Sequence, residues 1–193
     1  MSAADRAPAK ERKMSRLTQI TDDAATPAAA ELFSAIKAKI GVVPNLYRVM
    51  ANEPAVLAAN LGLGEALGKG AFDPKTREAI ALVTAGANNC DYCASAHTAI
   101  SKNLKVDDAE IAARLQGQSS DPKIQAILTF AKAVVDARGF VSDADLGAAR
   151  EAGLTEGEIV ETVANVVANI FTNYINHVAD TDIDFPVVRA QAA

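Results

Sequence analysis

The sequence predicts an all-α protein of about eight helices, and three observations carry that prediction. Helix start and stop residues recur along the whole chain. Alanine is abundant, Trp is absent and aromatics make up only 5% of the residues, a composition that favours closely packed helices. No stretch shows apolar–polar alternation bounded by hairpin turns. With 193 residues, half of them hydrophobic, the chain can bury one sizeable core. That domain is expected at 17–188, between a flexible N-terminal tail (1–16) and a short C-terminal tail (189–193).

Each helix has its own signal. Thr26-Pro27 opens the first, with proline in the first turn, where its missing N–H removes no bond, and Gly41 closes it. Pro54 opens the second, which ends around Gly68–Gly70. Asp73-Pro74 starts the helix that carries Glu78. The next is expected to start near Cys90, because Gly86 and Asn88-Asn89 just before it are residues that end or cap helices. Asp107 and Glu110 are spaced as a capping box for a helix ending at Gly117, and Asp121-Pro122 starts one that reaches Gly139. Ser142 with Asp145, closed by Gly153, and Thr155 with Glu158 open the last two. A weak internal repeat overlies this pattern: an offset of 80 residues places Glu78 on Glu158, Asn89 on Asn169 and His97 on His177. In the second copy, Ile170 and Asn173 stand where the first has cysteines.

Charge and cysteine usage narrow the function. The net charge of −5 and the absence of a basic cluster argue against nucleic acid or an anionic membrane as a partner. No apolar run approaches the roughly 18–20 residues that span a bilayer, and Met1–Lys13 is not followed by the apolar segment of a secretory signal. A lone cysteine pair at CxxC spacing closes almost no loop and would be a poor staple in an exported protein. A cytoplasmic dithiol is therefore expected.

Both cysteines of the chain fall in Cys90-Asp91-Tyr92-Cys93, and one of its two histidines, His97, follows four residues later. On a helix starting near Cys90, the two thiols and the imidazole share one face. First-turn thiols feel the positive helix end and the unsatisfied N–H groups, which favours a thiolate. His97, one turn below Cys93, can take its proton or stabilise its charge. On one continuous helix Glu78 would point about 120° away from Cys90, but a break at Asn88-Asn89 would fold it back over the thiols, where a carboxylate completes a proton relay. Other readings of the motif remain open at this point. Zinc could take both cysteines and His97 but would need His177 or a carboxylate as its fourth ligand. A pair of buried structural cysteines beside an unrelated histidine is another. Haem attachment is excluded by Ala94, which stands where the histidine would have to be. A thioredoxin-type site lacks its βαβ context. His177 reads as a helix-end or packing residue, and Asn165, Asn169, Asn173 and Asn176 as a polar line facing another helix or subunit.

Glu78, Cys90, Cys93 and His97 in this spacing resemble the core motif of the alkylhydroperoxidase D (AhpD) family, within the all-helical carboxymuconolactone decarboxylase superfamily. The flanks Gly41-Val42-Val43-Pro44-Asn45-Leu46 and Asp182-Ile183-Asp184-Phe185-Pro186 resemble its peroxidase-related members, so that the likeness spans most of 17–188. The resemblance implies a thiol-dependent hydroperoxide reductase. Cys93 would be the peroxidatic thiol, Cys90 the resolving one, and Glu78 and His97 the proton relay. It implies no cofactor and no metal in the chain itself, a hydroperoxide as substrate, and an external dithiol reductant that is lipoyl-bearing or thioredoxin-like. Tyr92 departs from the family, whose well-studied enzymes have histidine there, and a phenol with a reference pKa of about 10 cannot serve as the base at neutral pH. Decarboxylases of the superfamily generally lack the cysteine pair. Thiol–disulfide exchange led by a more exposed Cys90, and a redox-responsive helical assembly, are the alternatives. Apolar residues on several sides of 54–69 (Leu57, Leu61, Leu63) and 155–178 (Val163, Val167, Ile170) predict a homo-oligomer, a trimer or hexamer by the resemblance.

Overall fold

The computed structural model describes residues 15–191 and contains, among them, nine helices and no strand. They are α1 (Pro27–Ile40), α2 (Asn45–Met50), α3 (Pro54–Leu67), α4 (Pro74–Ala87), α5 (Asp91–Asn103), α6 (Asp108–Leu115), α7 (Pro122–Asp136), α8 (Asp143–Glu151) and α9 (Glu156–Ala179). The all-α expectation holds, and eight of the nine helices lie where their signals placed them. Thr26, Asp73, Asp121, Ser142 and Thr155 all cap as their spacing indicates, the last two in full capping boxes.

The ninth, α2, begins at Asn45, where the sequence carries no helix start signal. Its first residue follows Pro44, which offers no side-chain acceptor. The cap comes from far away in sequence: Asp184 Oδ2 accepts a hydrogen bond from Asn45 N at 2.9 Å. The box expected from Asp107 and Glu110 also differs. Asp107 does cap α6, but Glu110 turns to Ser119, Ser120 and Arg114, whose hydrogen bonds outweigh its burial and hold its carboxyl down at about 2.

Helix α4 is the axis of the molecule, packed against α5, α6, α7 and α9. Its residues Ala79–Gly86 are all buried, and they join two apolar clusters. One holds Phe33, Leu57, Leu82 and both cysteines; the other holds Ile80, Leu128, Phe130 and Val166. Gly86 belongs to this interior and does not end the helix. A Cβ there would stand 2.0 Å from the Leu115 carbonyl oxygen, so glycine lets α6 approach α4 closely. Helix α4 ends at Ala87, and Asn89, two residues beyond it, takes a left-handed conformation (φ 54°) and sends the chain back as α5. The second copy of the repeat lacks this break: α9 runs unbroken through Asn169.

Both ends of the described chain are tied down. Ser15 and Arg16, counted with the N-terminal tail, bond to the Ala179 carbonyl at the end of α9, while residues 1–14 lie outside the described part. The segment after α9 crosses α5 as a strap. Ser95 Oγ accepts from Val188 N at 2.9 Å, Asp91 pairs with Arg189, and Ala190 N donates to Asp91 Oδ1. Arg189 and Ala190, assigned to the C-terminal tail, are thus docked by the acidic residue between the cysteines, and Ala190 is buried.

Candidate active site

The break at Asn89 builds the site. Cys90 is the N-cap of α5, and its Sγ accepts from Cys93 N at 3.4 Å, so the cap is a thiol and not one of the preceding asparagines. Cys93 lies in the first turn and His97 one turn further on. Because α5 folds back along α4, Glu78 meets His97: Nδ1 and Oε2 are 2.8 Å apart. All four predicted site residues therefore converge.

The thiols differ electrostatically. Their Sγ atoms are 2.6 Å apart, and both side chains are buried, 1% and 2% exposed. The Cys90 S–H donates to Cys93, and that bond, more than the opposing burial, holds the Cys93 thiol down at about 7, with the His97 charge and the α9 amides adding to it. The same contact pushes Cys90 upward, with burial and the Cys93 charge acting in the same direction. Cys93 is thus the more readily ionised thiol of the two, and Cys90 the one held in its protonated form. Cys90 is not the more exposed thiol that the alternative of thiol–disulfide exchange supposed: it is buried in the core as deeply as Cys93. Burial disfavours a charged His97, but the Glu78 carboxylate outweighs it and holds the imidazole above its ordinary pKa. The His97 and Glu78 side chains keep 20% and 16% of their surface, more than either thiol.

Three residues near this pair have no part in the site that the sequence indicates. Tyr47 of α2 faces it, its phenol pushed upward by burial and by the Glu78 charge. From α9, Asn176 Nδ2 donates to Cys93 Sγ at 3.3 Å, while Asn173 Oδ1 accepts from Asn88 at 2.9 Å. The sequence carried a trace of this in the helically spaced asparagines of an otherwise apolar helix. Tyr92 serves the scaffold: its hydroxyl donates to Asp184 Oδ1 at 2.8 Å and accepts from Leu46 N at 3.1 Å, and its ring packs edge-on against Phe185. Burial raises its pKa further, which removes it from any relay. His177 sits exposed in the last turn of α9, stacked on Tyr174. Among the described residues no three His, Cys, Asp or Glu side chains are grouped as a metal site requires. None, either, forms a helix long and apolar enough to cross a membrane. A surface cleft between α6 and α7, lined by Glu110, Ser119, Ser120 and Gln125, contains none of the thiol-site residues.

The helical domain that carries this site matches the AhpD helical fold. Residues 54–137, which run from α3 through α7 and hold Glu78, Cys90, Cys93 and His97, match the carboxymuconolactone decarboxylase family. With the structural likenesses that follow, this makes the chain similar to the AhpD-like proteins of that family. The alkylhydroperoxidase AhpD core of a peroxidase-related protein from Ralstonia eutropha JMP134 superposes with a TM-score of 0.80 at 25% identity, covering 90% of this chain and 94% of its own. A peroxidase-related protein from Silicibacter sp. TM1040 gives 0.76 at 22% identity, over 91% and 95%. The debrominase Bmp8, in complex with 2,3,4-tribromopyrrole, shares the fold with a TM-score of 0.71 at 22% identity, over 91% and 93%. None of the curated proteins matches the chain.

Proposed function

We propose that this protein is a thiol-dependent hydroperoxide reductase in antioxidant defence, with Cys93 as its peroxidatic thiol. The observation that carries the reading is the polarised pair: a Cys93 thiol held at about 7 beside a Cys90 thiol kept protonated, with the Glu78–His97 pair one turn away. The Cys93 thiolate attacks the nearer peroxide oxygen. An S–O bond forms, the O–O bond breaks, and the proton held by His97 goes to the departing alkoxide, so that sulfur is oxidised and peroxide is reduced to alcohol. Cys90, already 2.6 Å away, then condenses with the sulfenic acid, giving a disulfide and water. An external dithiol, lipoyl-bearing or thioredoxin-like, takes up the disulfide and leaves oxidised itself. No cofactor in the chain is required, and the expected compartment is the cytoplasm.

We also propose a homo-oligomer, a trimer or hexamer. The face of α9 carrying Val160, Val167, Tyr174 and Val178 stays more than half exposed, with the three positions 160, 167 and 174 in seven-residue register. Light scattering in excess reductant should give a mass well above the 20.1 kDa of one chain.

The test is a steady-state assay with an organic hydroperoxide and a panel of dithiols. Turnover with at least one dithiol is expected, lost in Cys93→Ser and reduced to a single turnover in Cys90→Ser. Full activity of Cys93→Ser would refute the assignment. A bromopyrrole is included because a debrominase shares the fold. Its consumption without peroxide turnover would assign the same thiolate a halogen-bearing electrophile instead.

A further inference from the structure

The site has a third wall that the Cys–His–Glu relay leaves unused. Helix α9 lies outside the residues that match the family, yet it turns two amides toward the reacting sulfur. Asn176 is 4% exposed and Asn173 is fully buried. Burying an amide without a partner is costly, so such groups point to a partner acquired in function. Asn176 spends its N–H on Cys93 Sγ at 3.3 Å. Asn173 is fixed through its oxygen by Asn88, the residue at the α4–α5 break, and its Nδ2 has no hydrogen-bond partner. That Nδ2 group nevertheless lies near enough to the Cys93 sulfur to help hold its negative charge. The other buried asparagine of this helix, Asn165, is occupied with the Glu161 carbonyl.

We propose that Asn176 and Asn173 are working parts of the dithiol site: Asn176 holds the Cys93 thiolate through its amide N–H, and Asn173 presents a second N–H to the oxygen that the sulfur acquires. The second half rests on the hydroperoxide-reductase reading, whereas the first does not. Before reaction, the donors around Cys93 are the Cys90 thiol and the Asn176 amide, with His97 acting through its charge. The titratable neighbours are Cys90, Tyr92 and His97 on α5, with Glu78 of α4 and Tyr47 of α2 behind His97. During attack, the Cys90 thiol must leave Cys93 to become the resolving nucleophile. The α9 amides can stay, and an N–H with no other partner is suited to a sulfenate oxygen.

The reduced protein is alkylated with iodoacetamide across pH 5–10, and the Cys93 peptide is followed by mass spectrometry. In Asn176→Leu, nearly the same shape without the donor, the midpoint should move from about 7 to about 8, slowing alkylation at pH 7 about fivefold while the high-pH plateau stays put. Asn176→Asp, which keeps the shape and adds a negative charge, should move it further. Asn165→Leu should leave it in place. An unmoved midpoint in both Asn176 variants, or an equal movement in Asn165→Leu, overturns the thiolate contact. For Asn173→Leu, the peroxide rate per thiolate should fall about tenfold while alkylation per thiolate is unchanged. A parallel fall in both, or no fall, removes Asn173 from the site. If the wild type reacts with no peroxide, the reductase reading fails and takes the Asn173 role with it, while the alkylation midpoints still decide Asn176.

Discussion

Two stretches of this molecule begin alike and end differently. Offset by 80 residues, each has a glutamate early, an asparagine in the middle and a histidine late. In the first, Asn89 adopts φ 54°, the helix breaks, and Glu78 and His97, nineteen residues apart in sequence, touch at 2.8 Å. In the second, Asn169 stays helical and donates to the Asn165 carbonyl, so α9 continues. Nineteen residues of straight helix separate Glu158 from His177 by about 28 Å. Glu158 accordingly completes a cap with Thr155 and pairs with Lys123, while His177 faces outward. One left-handed residue is thus what separates a paired acid and base from two unrelated surface groups. The unbroken copy still contributes, because its length carries Asn173 and Asn176 across to the thiols of the first.

The comparison can be broken in matched pairs. The largest effect is expected at the glutamates. Glu78→Gln leaves His97 without its carboxylate, so its pKa falls, the charge beside Cys93 is lost and the thiol pKa rises. Peroxide reduction at pH 7 should drop about a hundredfold, measured by stopped flow. Glu158→Gln should leave that rate alone and cost about 1 kcal/mol in urea unfolding, through the loss of its cap and ion pair. A smaller effect is expected at the asparagines. Asn89 is exposed, so Asn89→Ala tests the backbone alone and should cost about 1 kcal/mol for its positive φ, with part of the Cys93 reactivity lost as the break shifts. In Asn169→Ala the change in stability should stay within about 0.5 kcal/mol. Equal costs at the two positions would contradict the role given to the break. The smallest effect belongs to His177→Ala, expected to change neither rate nor pH profile; a changed profile would bring α9's histidine into the site.

The sequence went far in showing this arrangement, because its decisive signals are local. The Asn88-Asn89 stop, the CxxC spacing and the position of Glu78 twelve residues before Cys90 together foretell the folded-back pair. What stayed hidden depends on distant partners. Helix α2 is capped by Asp184, and the strap is held by Ser95 and Asp91, none of which a local pattern can reveal. Tyr92 looked like a gap in a proton relay because its partners, Asp184 and the Leu46 N–H, come from opposite ends of the chain. Asn176 was visible as a polar residue on an apolar helix, but only the crossing of α9 over α5 gives that amide its sulfur. The burial of Cys90 stayed hidden for the same reason, since the core cluster that holds it also takes in Phe33, Leu57 and Ala190.

In the proposed reaction the α4–α5 break makes Cys93, and not Cys90, the reacting thiolate. This assignment is tested most directly by giving the fully reduced protein less than one equivalent of hydroperoxide, trapping sulfenic acid with dimedone within milliseconds, and locating the adduct by mass spectrometry at several pH values. The adduct should form on Cys93, in an amount matching the peroxide consumed, with a yield that rises with pH through about 7 as the thiol ionises. An adduct that forms first on Cys90, or a yield flat across that range, would contradict it.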